Sequence, residues 1–197
     1  MAKQKWKPGN MVYPLPAVLV SCGDKEGNLN LMTAAWTGTI CSDPPMVYVS
    51  IRKERHSHHM IRETGEYVIN LTTEKLARAT DFCGVRSGRD MDKFKEMQLT
   101  PVHGELKYAP MVEESPVSIE CQVTQVVELG SHDMFLADVV AVHADEHYMD
   151  ENNRFDLNLA KPLVYSHGEY MGTGKHIGGF GYAVRKKTVK KKPGKKK

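Results

Sequence analysis

The stretch from Val117 to Leu129 leaves this chain the least choice of fold. Val117, Ile119, Cys121, Val123, Val127 and Leu129 fall on one face, broken only by Gln125. Ser118, Glu120, Gln122, Thr124 and Glu128 fall on the other. A period of two held over such a length predicts a long, half-buried antiparallel strand. Gly130-Ser131-His132-Asp133 reads as its hairpin turn. Met134 to His143 reads as the return strand, with Phe135, Ala137, Val139 and Ala141 on one side. His132 is thereby placed at the tip of a long ribbon, which must bury one face against more sheet.

Other segments supply that sheet. Ala17 to Cys22 is apolar and rich in β-branched residues, bounded by Pro16 and Gly23. It predicts a strand, and Gly23 to Asn28 a turn that sends the chain back antiparallel. Met46 to Ile51, Tyr67 to Leu71 and Pro162 to Tyr170 predict further strands. Helices are few and short. Ser57 reads as an N-cap for 58–64, with Gly65 in the left-handed C-terminal position. Thr72-Thr73 reads as the cap of a second helix running through Phe82 and ending at Gly84. Asp92-Lys93-Phe94 lies in a third. There is no strand–helix–strand rhythm, and no Gly-x-Gly-x-x-Gly opens a helix after a strand. The pattern predicts a β-barrel or sandwich with helices at its ends, so any nucleotide is held by a β-framework.

The chemistry gathers in Asn30 to Ser57. Ala34, Ala35 and Gly38 leave the backbone bare, Thr33, Ser50, Arg52 and Ser57 are donors, and Trp36 offers a flat apolar face. A planar, phosphate-bearing cofactor needs these features. A tight hairpin whose small residues merely pack against a neighbour fits them equally. The start of the helix after Ser57 offers free N–H groups to an anion. His56, His58 and His59 raise a metal as an option. However, adjacent helical side chains point apart, and no carboxylate stands at ligand spacing in the loop, so a solvated loop is expected.

Charge and cysteines exclude other classes. The 197 residues carry a formal charge of +3, but residues 185–197 hold nine of the 27 Lys and Arg and no acid. The remaining residues hold 18 basic against 24 acidic side chains, a net of −6. The body is acidic, and the basic end has no aromatic residue to stack on bases, so nucleic acid is not the expected partner. Residues 173–197 read as a Gly-rich arm and a solvated, disordered basic tail. The four cysteines stand far apart, against a zinc site or a disulfide scaffold. No apolar run follows the first lysines and none has membrane-spanning length, so a cytoplasmic protein with no membrane partner is expected.

Four separated pieces then agree. They are Asn30-x-Met32-Thr33-x-x-Trp36; Ser50-Ile51-Arg52 with Ser57; Phe82-Cys83-Gly84 with Ser87-Gly88 and Asp92-Lys93-Phe94; and Gly130-x-His132-x-x-Phe135. With Pro162-Leu163-Val164-Tyr165 and Gly168-x-Tyr170 closing, their order over residues 10 to 172 resembles the flavin reductase-like family of FMN-binding split β-barrels. Within it the chain looks closest to the flavoredoxin and archaeal-type ferric reductase branch. The resemblance implies a single domain over residues 1–172, a six-stranded antiparallel Greek-key split β-barrel with short peripheral helices. It also implies a homodimer, non-covalent FMN, and no metal. It places Asn30, Met32, Thr33, Ala34 and Ala35 along the cofactor and Trp36 against its ring. Ser50, Ile51 and Arg52 would line the ring and ribityl chain. Ser57 and Lys93 would take the phosphate, Phe82, Cys83 and Gly84 would border the site, and Tyr165 would lie by the ring. His132 would stand near the flavin where NAD(P)H docks. The implied activity passes hydride from NAD(P)H to FMN and electrons on to flavin, ferric chelates or another acceptor. The alternative is an electron carrier of the flavoredoxin type, fed by a redox-protein partner without direct nicotinamide use.

Overall fold

The computed structural model describes residues 1–184. The elements are β1 (Leu15–Pro16), β2 (Val18–Gly23), β3 (Leu29–Ala34), β4 (Thr37–Ser42), β5 (Pro45–Arg52), α1 (His56–Thr64), β6 (Glu66–Leu71), α2 (Ala77–Val85) and α3 (Lys93–Met97). They continue as β7 (Pro101–Val102), β8 (Met111–Val112), β9 (Val117–Glu128), β10 (His132–Ala144), β11 (Leu163–Ser166) and β12 (Glu169–Gly172).

The large sheet has seven strands in the order β3-β2-β6-β9-β10-β5-β4. Its two edge strands, β3 and β4, are neighbours in sequence, joined only by Ala35 and Trp36. Laid flat, strands about 4.8 Å apart would set these edges about 29 Å from one another. The three Cα steps from Ala34 to Thr37 span at most about 11 Å. The sheet therefore has to curl until its edges meet. The Ser50 amide donates to the Trp36 carbonyl at 2.8 Å, carrying the β4–β5 pairing one residue further into the connection to β3. The result is a split β-barrel, the architecture the resemblance implies, built from seven strands rather than six. The seventh is β4, which the sequence reading passed over because Thr37 to Ser42 carries little apolar signal.

Inside the barrel Val18, Val20, Val49, Ile51, Tyr67 and Phe135 are fully buried, and α1 plugs one end with Met60 and Ile61. A second cluster lies outside β2 and β3, where Leu19 and Leu31 pack under α2 and α3 through Leu76, Ala79, Cys83 and Phe94. Fully burying each such aliphatic or aromatic side chain contributes about 1.5–3 kcal/mol.

The β9–β10 ribbon forms as predicted, with two shifts of register, one of them between Val139 and Ala141. Gln125 faces Leu136 while Val123 faces Ala137, so Thr124 is extra and makes a bulge. Beyond it the inward side changes, and Val126 rather than Val127 packs on the core. The polar side of β9 is solvated only at Gln122, Thr124 and Glu128. Ser118 and Glu120 are buried, and the Glu120 carboxylate accepts the Glu105 amide at 3.1 Å, the Leu106 amide at 2.7 Å and His143 Nε2 at 2.6 Å. Period-two reading sees one covering layer, and here a loop supplies the other.

Several boundaries also move. Helix α1 starts at His56 behind Arg55, so Ser57 lies inside the helix and is buried. Its C-terminal Gly65 takes the left-handed conformation at φ 73°, as expected. Helix α2 runs through Gly84 to Val85. The single closing strand is in fact the β11–β12 hairpin, whose turn residues His167 and Gly168 both have positive φ. Residues 173–184 run on largely exposed. The basic tail expected over 185–197 lies outside the described residues.

Candidate functional site

The seam of the barrel opens into three adjoining clefts. The first, of about 320 Å³, is lined by Asn30, Met32, Ser57 and Lys93 together with Arg55, His56 and the 85–89 loop. The second, of about 120 Å³, is lined by Met32 to Trp36, Ser50, Arg52, Arg55 and His132. The third, of about 400 Å³, has Thr33, Ala35, Trp36, Gly84 and Tyr165 in its wall, with Tyr13, Asp81 and Tyr170. Met32 and Arg55 are common to the first two, and Thr33, Ala35 and Trp36 to the last two. Together they form a bent trough along the strand end that carries the two alanines.

The first cleft is cationic. Arg55, Arg86, Arg89 and Lys93 line it against one acid, Glu54. Its floor is tight. A Cβ on Gly88 would fall 2.1 Å from Asn30 Oδ1, so only glycine lets the loop approach this closely. Asn30 donates from Nδ2 to Ser57 Oγ at 2.8 Å, tying β3 to α1. His56 Nδ1 is buried and has no hydrogen-bond partner among the described residues. Buried polar atoms are almost always paired, so an orphan on a cationic wall points to an absent ligand with acceptor oxygens.

Lys93 reaches the cleft wall, but its ammonium is committed elsewhere. Nζ donates to the Leu31 carbonyl at 2.7 Å and to the Cys83 carbonyl at 2.9 Å. Burial pushes its pKa down, against the pull of the Cys83 thiol. Lys93 therefore pins β3 to α2, and carries charge to the cleft from behind.

In the second cleft the rings of Trp36 and His132 pack at 4.5 Å and 39°. His132 Nδ1 lies 2.8 Å from Ser131 Oγ. Burial and the Arg52 guanidinium hold the His132 pKa below its ordinary 6.5, so its imidazole is neutral at pH 7. Beneath it Asp133 is fully buried, with His58 Nε2 at 2.8 Å, Lys53 Nζ at 3.2 Å and Arg62 Nη1 at 3.4 Å. Burial alone would raise this carboxyl, but His58 and Lys53 outweigh it and hold it low. The expected solvated histidine loop is thus in part a buried ion-pair network, since His58 is its core.

The trough gathers most of the residues the sequence singled out. Asn30, Met32, Ser57 and Lys93 reach its cationic end, and Thr33, Ala34, Ala35, Trp36, Ser50, Arg52 and His132 its middle. Gly84 and Tyr165 stand at the far end. Three side chains are not brought in. Ile51 is in the barrel core, and Phe82 and Cys83 pack in the outer cluster under α2. Burial pushes the Cys83 thiol up to about 11, which keeps it protonated. The sequence reading missed Arg55, Arg86, Arg89, Tyr13 and Asp81, and raised His56 only as a metal option. Arginines flanking Ser57 and Ser87-Gly88 were a legible signal, because cations beside a bare backbone mark an anion site.

The donor set fits a phosphate with a flat ring beyond it. The cationic cleft supplies arginines, hydroxyls and a close backbone. The next supplies small residues and an aromatic face. This is what flavin mononucleotide requires.

Comparison with known proteins agrees. Residues 10–174 match the sequence profile of the flavin reductase like domain. The flavoredoxin of Desulfovibrio vulgaris (Miyazaki F) superposes with a TM-score of 0.86 at 32% identity, over 93% of this chain and 100% of that one. The flavoredoxin from Methanosarcina acetivorans gives 0.85 at 27% identity, over 94% and 100%. An uncharacterised protein of Aeropyrum pernix is 32% identical over 156 residues, which is 79% of this chain but only 58% of that protein. With the profile covering most of its length and the seam formed where the fold requires it, the chain belongs to the flavin reductase like family of split β-barrel proteins.

Proposed function

We propose that this protein binds one FMN non-covalently in the trough and acts as an NAD(P)H-dependent oxidoreductase. Electrons would pass to free flavin, ferric chelates or another acceptor. The observation that carries the reading is the cationic cleft with its orphaned His56 Nδ1, opening directly onto the Ala34-Ala35 strand end. FMN would supply the redox chemistry, accepting hydride from a nicotinamide and releasing electrons to the acceptor.

The chain's own task is positioning. Arg55, Arg86, Arg89 and Ser57 hold the phosphate, and Gly88 admits it close to the backbone. Lys93 keeps β3 and α2 together behind it. The alanines leave room for the ring against the strand end. Trp36 and His132 shield one side from water, and a neutral His132 adds no positive charge beside the reacting ring. Tyr165 bounds the opposite end. The buried Cys22 and Cys121 are not asked for chemistry, since burial raises both to about 12.

The proposal includes a homodimer in the cytoplasm. Ile40 on the edge strand β4, with Val140 and Val142 on β10, stand exposed on the barrel wall, and a second copy would cover them. Among the described residues no helix is long and apolar enough to cross a membrane.

A second reading has its own support. The superposition on flavoredoxin, and the Trp36–His132 packing that narrows the face a nicotinamide needs, favour an electron carrier fed by a redox protein. Anaerobic mixing of the FMN-loaded protein with NADH and then NADPH decides between them. Bleaching of the flavin absorbance on mixing supports the oxidoreductase. A spectrum left unchanged by both, but bleached by dithionite, supports the carrier.

A further inference from the structure

The two ends of the trough carry opposite chemistry. Four cations line the first cleft, whereas the third, of about 400 Å³, has one charged side chain in its wall, the carboxylate of Asp81 on α2. Aromatic rings make up much of the rest. Tyr165 and Tyr170 pair across the β11–β12 hairpin, with ring centroids 5.7 Å apart at 57°. Tyr13 stands 6.2 Å from Tyr165 at 54° and packs on His167 at 4.2 Å. No tyrosine here lies flat on another, and all three are half-buried, so ring surface is left for a ligand. Burial and then the Asp81 carboxylate push the Tyr170 phenol up, which keeps it a neutral donor.

We propose that the third cleft binds a flat organic cation, held against Tyr165 and Tyr170 with Asp81 as its counter-ion. The ligand class follows from the signs of the walls. The face of a tyrosine ring is negative and attracts a cation laid over it, and a carboxylate adds to the same preference. An anion is repelled by both, and finds no cation among the residues lining this cleft. The arginines of the trough line the other two clefts, where a phosphate would take their charge. A flat cation presents its charge and its ring to these side chains together, which a compact one does not. The site itself stands on the third cleft alone, and its use rests on the flavin reading above. Ala35 and Trp36 belong both to this cleft and to the one that receives the ring, so a cation seated here borders the flavin. Reducible aromatic cations are thereby the class of acceptor assigned to the trough.

The test titrates N-methylquinolinium, neutral quinoline and the naphthoate anion, three two-ring probes of different charge, into full-length protein by calorimetry. Low salt keeps the Asp81 charge unscreened, and about pH 8 keeps ordinary histidines neutral. N-methylquinolinium is expected to bind at least about tenfold more tightly than either other probe. Asp81→Asn is expected to weaken it about tenfold and to leave quinoline and FMN within about threefold. Tyr170→Leu should weaken it similarly, and Tyr170→Phe, which keeps the ring, should not. Equal binding of cation and quinoline would overturn the inference. So would Asp81→Asn sparing the cation, or weakening all three probes alike. The titrations are run on flavin-free and on FMN-loaded protein, and the preference is expected in both. A preference lost on loading FMN would put the flavin itself in this cleft and overturn the inference as well. Protein that refuses FMN but keeps the preference sinks the flavin reading alone. Protein that takes FMN and shows no preference sinks this inference alone.

Discussion

The ammonium of Lys93 lies 2.7 Å from the carbonyl oxygen of Leu31, in the middle of β3. A lysine that sequence resemblance assigns to a phosphate is thus first a structural tie. Its other contact, to the Cys83 carbonyl, closes the bridge to α2. Charge-assisted bonds of this kind contribute about 1.5–3 kcal/mol each, and a buried carbonyl left alone adds a penalty. Lys93→Met keeps the stem's packing and removes both bonds. It should lower the urea midpoint of the flavin-free protein and also weaken FMN, about ten- to a hundredfold. An unchanged midpoint without flavin would refute the structural role. An unchanged FMN titration would remove Lys93 from the site.

Gly88 gives a cleaner test of the cationic cleft. An alanine there would drive its Cβ into Asn30, whose own amide is tied to Ser57. Relief requires moving either the 85–89 loop or the Asn30–Ser57 pair, and both line the phosphate end. Gly88→Ala should therefore weaken FMN at least about tenfold, with a fall of several degrees in the thermal midpoint of the flavin-free protein as the Asn30–Ser57 pair is displaced. Isothermal titration and a melt on the same sample suffice. FMN affinity equal to wild type would mean that the phosphate does not lie against this loop.

Asp133 sets the acid limit of the fold. Its folded pKa is held below the ordinary 3.8 by His58 and Lys53, despite its burial. A depressed carboxyl adds stability above its unfolded pKa and loses it as pH falls through the folded value. The melting temperature should thus fall below about pH 4, and Asp133→Asn should flatten that fall. Asp133→Ala leaves His58, Lys53 and Arg62 facing a void and removes their shared acceptor, so at pH 7 it should melt lower than Asp133→Asn. Melts from pH 3 to pH 7 read both effects. An acid limb equally steep in Asp133→Asn would assign the acid sensitivity to other carboxylates.

What the sequence made legible follows from how local each feature is. The β9–β10 ribbon, the Gly65 cap and the Ala34-Ala35-Trp36 run depend on neighbours in sequence, and they stand where expected. Strand β4 was hidden because its support is a neighbour strand rather than its own apolar pattern. The burial of Glu120 was hidden because a loop 14 and 15 residues earlier, at Leu106 and Glu105, folds back over that face, and the Thr124 bulge because it is set by the register with β10. At the site, contact residues spread over Asn30, Ser57 and Trp36 came with their motifs. The commitment of Lys93 to two carbonyls, and the side chains of Ile51, Phe82 and Cys83 turning into packed clusters, are long-range choices. The orphaned Nδ1 of His56 is visible only once three separate segments close around it.

His132 separates the two ways this trough could receive electrons. Its ring packs on Trp36, and burial with Arg52 keeps it neutral at pH 7. If nicotinamide docks here, His132 shapes the face it uses without exchanging a proton. His132→Ala should then slow reduction by NADH or NADPH at least about tenfold, and change FMN retention by less than about threefold. The wild-type reduction rate should be level from pH 8 down through 6.5, where an ordinary histidine would titrate, and bend only below it. Stopped-flow reduction across that range, beside FMN titration of both proteins, measures all of this. Equal losses of rate and retention would make His132 a flavin contact only. An inflection at 6.5 that vanishes in His132→Ala would show that its proton takes part, and that burial does not hold the ring neutral.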